Sequence, residues 1–342
     1  MLTLTGTASA DTVEVVAGVS STTVKVGGRD YSTISSANSG NLVTVNFNGG
    51  TAADSLKVTG TTGDLAIVLT GAETVLGTTA ASKNLTISSD GPTALGITTV
   101  GGNLTLASSS GAVTNTGRLT IGGTMTIASG TNDLTLGTST NAFTGALILA
   151  GKNVIVAATG AVDLGAIAAS GNLAVTSTGA ISDSGALVVT GTTTLNAGSA
   201  AVTLDQAGSA FTGAIGVTGS NAAILNSRAT VLGVSTLSGT LAVTPNGVVT
   251  NTGKLTVGGT TTINAGSNNL TIGTSTNAFT GALILTGNNV TVAATGAITD
   301  SGNLTVTGTT TLGAGTAAIT LDSVGNTFSD ALNLTGNPVT VS

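Results

Sequence analysis

Short alternations of apolar and polar residues run through the chain, interrupted every few positions by Gly, Asn, Ser or Ala. Triplets such as Leu304-Thr305-Val306, Thr310-Thr311-Leu312 and Ile319-Thr320-Leu321 put aliphatic side chains on one face and Thr on the other. The pattern predicts very short strands joined by corners. A coil of two or three such strands cannot bury its aliphatic face alone. Successive coils must therefore stack, each strand pairing in parallel with its copy above and below. The expected class is all-β and the expected architecture a parallel β-solenoid. A sandwich or a meander of hairpins is the competing arrangement, but Asn246-Gly247 and Asp90-Gly91 are nearly the only hairpin-type dipeptides.

Repetition sets the scale. NTGRLTIGGTMTIASGTNDLTLGTSTNAFTGALIL at 115–149 matches NTGKLTVGGTTTINAGSNNLTIGTSTNAFTGALIL at 251–285, and a looser copy ends in SAFTGAIGV at 209–217. Four of the five Phe residues occupy one phrase: Phe143, Phe211 and Phe279 recur at a constant interval of 68, and Phe328 follows after 49. The shorter interval is the clean loss of a 19-residue block, the size of one coil. Dividing 68 by four predicts about 17 residues per coil and a four-coil super-repeat. The Phe residues then mark one coil in four, each at a wider corner or loop edge where the Asn or Ser two residues earlier turns the chain and the ring fills space that Val or Leu would leave empty.

Residues 92–342 read as the regular array, with one 19-residue coil missing from the last super-repeat. Residues 1–91 differ: they hold 11 of the 22 charged residues and the only Tyr, Tyr31, and no copy of the Phe phrase. They are expected to form irregular solenoid coils or a cap, with a boundary near Gly91-Pro92.

Composition narrows the function. With 51 Gly, no Cys, His or Trp, and 6% charged residues, most side chains used in catalysis and metal binding are lacking. An enzyme is not expected. A net charge of −6 and only three Arg (Arg29, Arg118, Arg228) give nucleic acid little to bind. No run of about 18 apolar residues suggests a membrane span, and the opening MLTLTGTASADTV does not read as a signal peptide. A long Thr/Gly-rich, Cys-free β array is typical of bacterial exported proteins, so an extracellular or cell-surface location is expected, with the export signal outside this sequence. Scarce charge also suits stacking, since a wall charge would repel its copy about 4.8 Å away in the next coil.

The phrases ITDSGNLTVTGTTTLGAGTAAITLD at 298–322 and NAFTGALILTGNNVTVAATGAITDSG at 277–302 resemble repeats of filamentous-haemagglutinin-like giant exoproteins. The resemblance covers about residues 92–342. It implies a right-handed parallel β-helix, secreted within a long surface filament used for adhesion, aggregation or matrix building. Expected partners are the chain itself or its continuation at open solenoid ends, cell-surface glycans and other matrix components. The expected function is a non-enzymatic, rod-like segment of a secreted adhesin or matrix filament. The alternative is a subunit that stacks end to end into a fibre or surface layer.

Three chemical candidates complete the picture. GTASADTVEV (6–15) and GGTAADSLKV (49–58) resemble degenerate calcium-binding nonapeptide repeats, in which Asp11 and Asp54 would be ligands; a polar turn is the plainer reading. Asp183 and Asp205, little more than one coil apart, are the nearest thing to the paired carboxylates of a polysaccharide-active β-helix. Thr-rich triplets, Thr124-Met125-Thr126, Thr192-Thr193-Thr194, Thr260-Thr261-Thr262 and Thr309-Thr310-Thr311, suggest ice binding, but they recur only once in each super-repeat.

Overall fold

The computed structural model describes residues 2–5, 12–17, 22–26, 29–34, 43–48, 54–61, 63–71 and 74–342. Among these the only regular elements are strands. The chain divides into two compact units, Met1–Gly171 and Asn172–Ser342. Both are parallel β-solenoids, as the alternation requires, with about 20 residues per coil.

In the first unit one wall is narrow, with one strand per coil. Leu85–Ser89, Leu104–Ser108, Met125–Ala128 and Leu147–Gly151 stack in parallel, with Leu85, Leu104, Met125 and Leu147 in register. These four are fully buried, as are Ile87, Leu106, Ile127 and Leu149 in the next inward column. Each such side chain contributes about 1.5–3 kcal/mol by leaving water. The facing wall is broad: two three-residue strands per coil, Thr93–Leu95 and Thr98–Val100, then Val113–Asn115 and Leu119–Ile121. Narrow strands such as Met125–Ala128 end in a tight corner whose Gly has φ near +60°: Gly130, Gly198, Gly266 and Gly315. Those four positions recur at the same intervals as the Phe residues, so the repeat carries its own left-handed corner.

The coil is longer than a quarter of the super-repeat. In the second unit Thr193 pairs with Ile215, Ile215 with Leu232, and Leu232 with Asn251, steps of 22, 17 and 19. Leu204, Ile224, Val243 and Ile263 step by 20, 19 and 20 on the opposite wall. Thr261, the repeat copy of Thr193, therefore lies across the solenoid, three and a half coils on. The super-repeat contains three and a half coils, not four, and successive copies alternate between walls.

An extra narrow strand produces the half coil. In most coils of the array a narrow wall alternates with a broad one. After each Phe phrase two narrow strands follow in succession: Leu147–Gly151 then Val154–Ala158, Ile215–Gly219 then Ala222–Asn226, Leu283–Gly287 then Val290–Ala293. Broad and narrow strands then exchange walls. The stretch from Phe279 to Phe328 spans two and a half coils. The block missing from it is one complete coil, so the shortened copy keeps the alternation.

Lys57 and Glu14, register partners on adjacent strands, form an ion pair of 2.8 Å.

Candidate functional site

The most elaborate chemistry lies at the corner inside each broad wall, where the first residue of the Phe phrase points inward. In the first unit Asn141 is fully buried. Its Oδ1 accepts hydrogen bonds from the Leu119 amide and Asn115 Nδ2, both 2.9 Å away in the previous coil. Its Nδ2 donates to Leu136 O at 3.3 Å in its own coil and to Ala157 O at 3.1 Å in the next. One side chain thus fastens three coils, and an amide suits the task because it both donates and accepts without carrying charge.

The second unit repeats this arrangement at Asn277, which accepts from Leu255 N and Asn251 Nδ2 and donates to Ile272 O and Ala293 O. It also contains two variants. Ser209 Oγ accepts from Leu187 N at 3.0 Å and faces Asp183 Oδ2 at 3.5 Å. Asn326 Oδ1 accepts from Leu304 N at 2.8 Å, while its Nδ2 donates to Asp300 Oδ2 at 2.6 Å. Asp183 and Asp300 are buried and occupy the place of Asn115 and Asn251.

The two carboxylates are committed to backbone. Asp183 accepts from the amides of Asp205 at 2.9 Å and Gln206 at 3.4 Å, and Asp300 from the amide of Asp322 at 3.0 Å. Asp183 and Asp205 thus lie in adjacent coils, the carboxylate of one on the amide of the other. Burial pushes the Asp183 carboxyl above its ordinary value, opposed by the hydrogen bonds from Asp205 and Gln206, while the Asp205 charge adds to the rise and the Ser209 hydroxyl opposes it.

The Phe side chains pack on the coil before them. Phe143 stacks in register on Ile121, Phe211 on Val189, Phe279 on Val257 and Phe328 on Val306. The first three are buried and Phe328 is half-buried. Phe143, Phe211 and Phe279 each sit where the following coil on that wall is narrow, so a ring fills the step between a broad coil and a narrow one.

A second, solvent-facing column fastens the corner before each narrow strand. Asp64 Oδ1 accepts from Asn84 N and Nδ2, Asn84 Oδ1 from Asn103 N, and Asn103 Oδ1 from Thr124 N, all within 3.1 Å. In the second unit Asn269 accepts from Asn289, and Asn289 from Thr309. Asn directly before an aliphatic-x-aliphatic strand was the available sequence signal, as in Asn84-Leu85 and Asn103-Leu104.

Of the calcium candidates, Asp11 lies outside the described residues. Asp54 begins the strand Asp54–Thr61, where its backbone pairs with Thr74. Among the described residues no three His, Cys, Asp or Glu side chains group as metal ligands. The Thr triplets split across the wall: Met125, Thr193, Thr261 and Thr310 point inward and are buried. Outward, Thr250, Thr271, Thr291 and Thr311 form an unbroken column over four consecutive coils. Counting by the super-repeat misses it, because its members come from different places in the repeat.

This geometry agrees with what the chain is related to. It matches the family described as repeats of unknown function (DUF5649) four times, at 82–150, 151–218, 219–286 and 284–335. The matches span most of the chain, which belongs to this repeat family. The first three matches end one residue before Gly151, Gly219 and Gly287, where the narrow strand after each Phe phrase ends. No curated protein and no solved structure matches the chain.

Proposed function

We propose that this protein is a non-enzymatic structural segment of a secreted bacterial adhesin or matrix filament, similar in role to the filamentous-haemagglutinin-like exoproteins. The observation that carries this reading is the use made of buried polar side chains. Asn141, Asn277, Asp183 and Asp300 bond the backbone of neighbouring coils. The fasteners recur with the repeat, and the shortened copy loses one whole coil. Both features suit a chain selected for length and continuity of stacking. Glycans or other matrix components would then meet the Thr- and Asn-rich outer walls.

Protease shaving of intact producing cells tests the location. Peptides from 115–149 and 251–285 are expected in the supernatant while the cells remain unlysed. Recovery of the protein solely from the soluble cell interior would overturn the proposal.

A further inference from the structure

The corner after the narrow strand Leu241–Pro245 differs in sequence from its copies elsewhere in the repeat. The two residues there are Ser110-Gly111, Thr178-Gly179 and Thr295-Gly296 in the other copies, but Asn246-Gly247 here. Stacking imposes the Gly: a Cβ on Gly247 would stand 2.8 Å from Ala229 N in the previous coil, and one on Gly111 would stand closer still to Pro92 N. The residue before the Gly varies, and among the described residues only Asn246 sets a side-chain amide directly before a glycine.

Asn246 is exposed, and neither its side-chain amide nor the Gly247 N–H has a hydrogen-bond partner. The corner is held by the Asn246 N–H, which donates to Asn226 O at 2.8 Å. Other Asn side chains of the second unit are tied down: Asn226, Asn269 and Asn277 bond neighbouring coils. Asn303, Asn333 and Asn337 are followed by Leu or Pro, which crowds the next nitrogen or, in Pro, removes its proton.

We propose that Asn246-Gly247 is a site of spontaneous deamidation, a covalent change that converts this corner from neutral to anionic. Asn is among the chemically labile residues, and Gly presents the least hindered following nitrogen. The Gly247 nitrogen attacks Asn246 Cγ and loses its proton to solvent as the new N–C bond forms. The bond from Cγ to Nδ2 breaks, and ammonia leaves after taking a proton from solvent, which closes a cyclic imide. Water opens the imide at either carbonyl, giving aspartate or isoaspartate, and nothing is oxidised or reduced. The isoaspartyl form adds a methylene to the backbone where it rests on residues 226–229. The contacts it disturbs are the bond from Asn246 N to Asn226 O and the seat of Gly247 on Ala229. This site is independent of where the protein acts.

The test is peptide mapping by mass spectrometry of the folded full chain incubated in mildly alkaline buffer. A synthetic peptide of residues 240–252 is run alongside, and incubation continues until that peptide has deamidated. The expected result is loss of the Asn246 amide in the folded chain, with aspartate and isoaspartate products separated by chromatography, while Asn226 and Asn277 stay unchanged. Asn246→Ser, which restores the residue of the first copy, should remove the reaction from this corner. An Asn246 amide still intact in the folded chain would overturn the proposal. Equal conversion of Asn226 or Asn277 would overturn it too, because the corner would then not be what selects the residue.

Discussion

Two corners of the second unit close equivalent coils with different chemistry. At Asn277 an uncharged amide serves three coils, accepting from Leu255 N and donating to Ile272 O and Ala293 O. At Ser209 the side chain is too short to reach both neighbours. The hydroxyl takes the Leu187 amide, and the carboxylate of Asp183 bonds the amides of Asp205 and Gln206. The fold therefore requires that the backbone groups at this corner be satisfied, and the identity of the group is secondary. The carboxylate carries a desolvation cost that the amide avoids.

The comparison can be broken most severely at the amide corner. Asn277→Ala should destabilise the protein by about 4 kcal/mol, because several buried backbone groups lose partners at about 1–3 kcal/mol each. Chemical denaturation followed by circular dichroism measures this. A loss under about 1 kcal/mol would mean that water substitutes at the corner.

Ser209→Ala should cost less, about 2 kcal/mol, since the hydroxyl serves one backbone amide and faces one carboxylate. The same denaturation midpoints rank the two corners, and equal losses would show that the amide's extra bonds contribute nothing.

Thr261 supplies the opposite case, a hydroxyl with no work to do. It is buried and its Oγ1 has no hydrogen-bond partner, as at Thr193 and Thr310. The matching position in the first unit is Met125, which is apolar. Thr261→Val should therefore stabilise by about 1 kcal/mol, seen as a higher denaturation midpoint. Destabilisation would reveal a partner for this hydroxyl.

The smallest effect concerns pH. Because burial raises the Asp183 carboxyl above 3.8, its contribution to stability is complete below that value and is lost as pH rises through the folded-state value. The double variant Asp183→Asn with Ser209→Asn rebuilds the amide corner. Its advantage over the parent should grow as pH rises from about 4 toward neutrality, measured as thermal midpoints across a pH series. A constant difference would place the carboxylate in a solvated setting.

Much of this was legible in the residues. Alternation at triplets such as Leu134-Thr135-Leu136 identified inward and outward faces correctly, because every second side chain of a strand must share a face. The shortened interval before Phe328 identified one coil as a removable block. The coil length was misjudged because the super-repeat was divided by a whole number. Nothing local distinguishes a narrow strand from half of a broad wall: Leu134-Thr135-Leu136 lies on a broad wall and Leu104-Thr105-Leu106 on a narrow one. The Phe phrase drew attention to a real site, yet its Asn or Ser does the fastening while the ring fills a step. Strand direction among the first described strands, where Thr22–Val26 runs antiparallel to both neighbours, had no signal in the residues because it is a matter of pairing.

The sequence by itself therefore determined the class of fold, the face of each strand in the array and the period of the array, since these follow from side-chain alternation and from repetition. Only the tertiary structure decided which wall each repeat occupies, which side chains meet across coils and how the first described strands pair. Those outcomes depend on the number of corners between stacked strands, and a corner is recognised only when the strand it delivers finds its partner in the next coil.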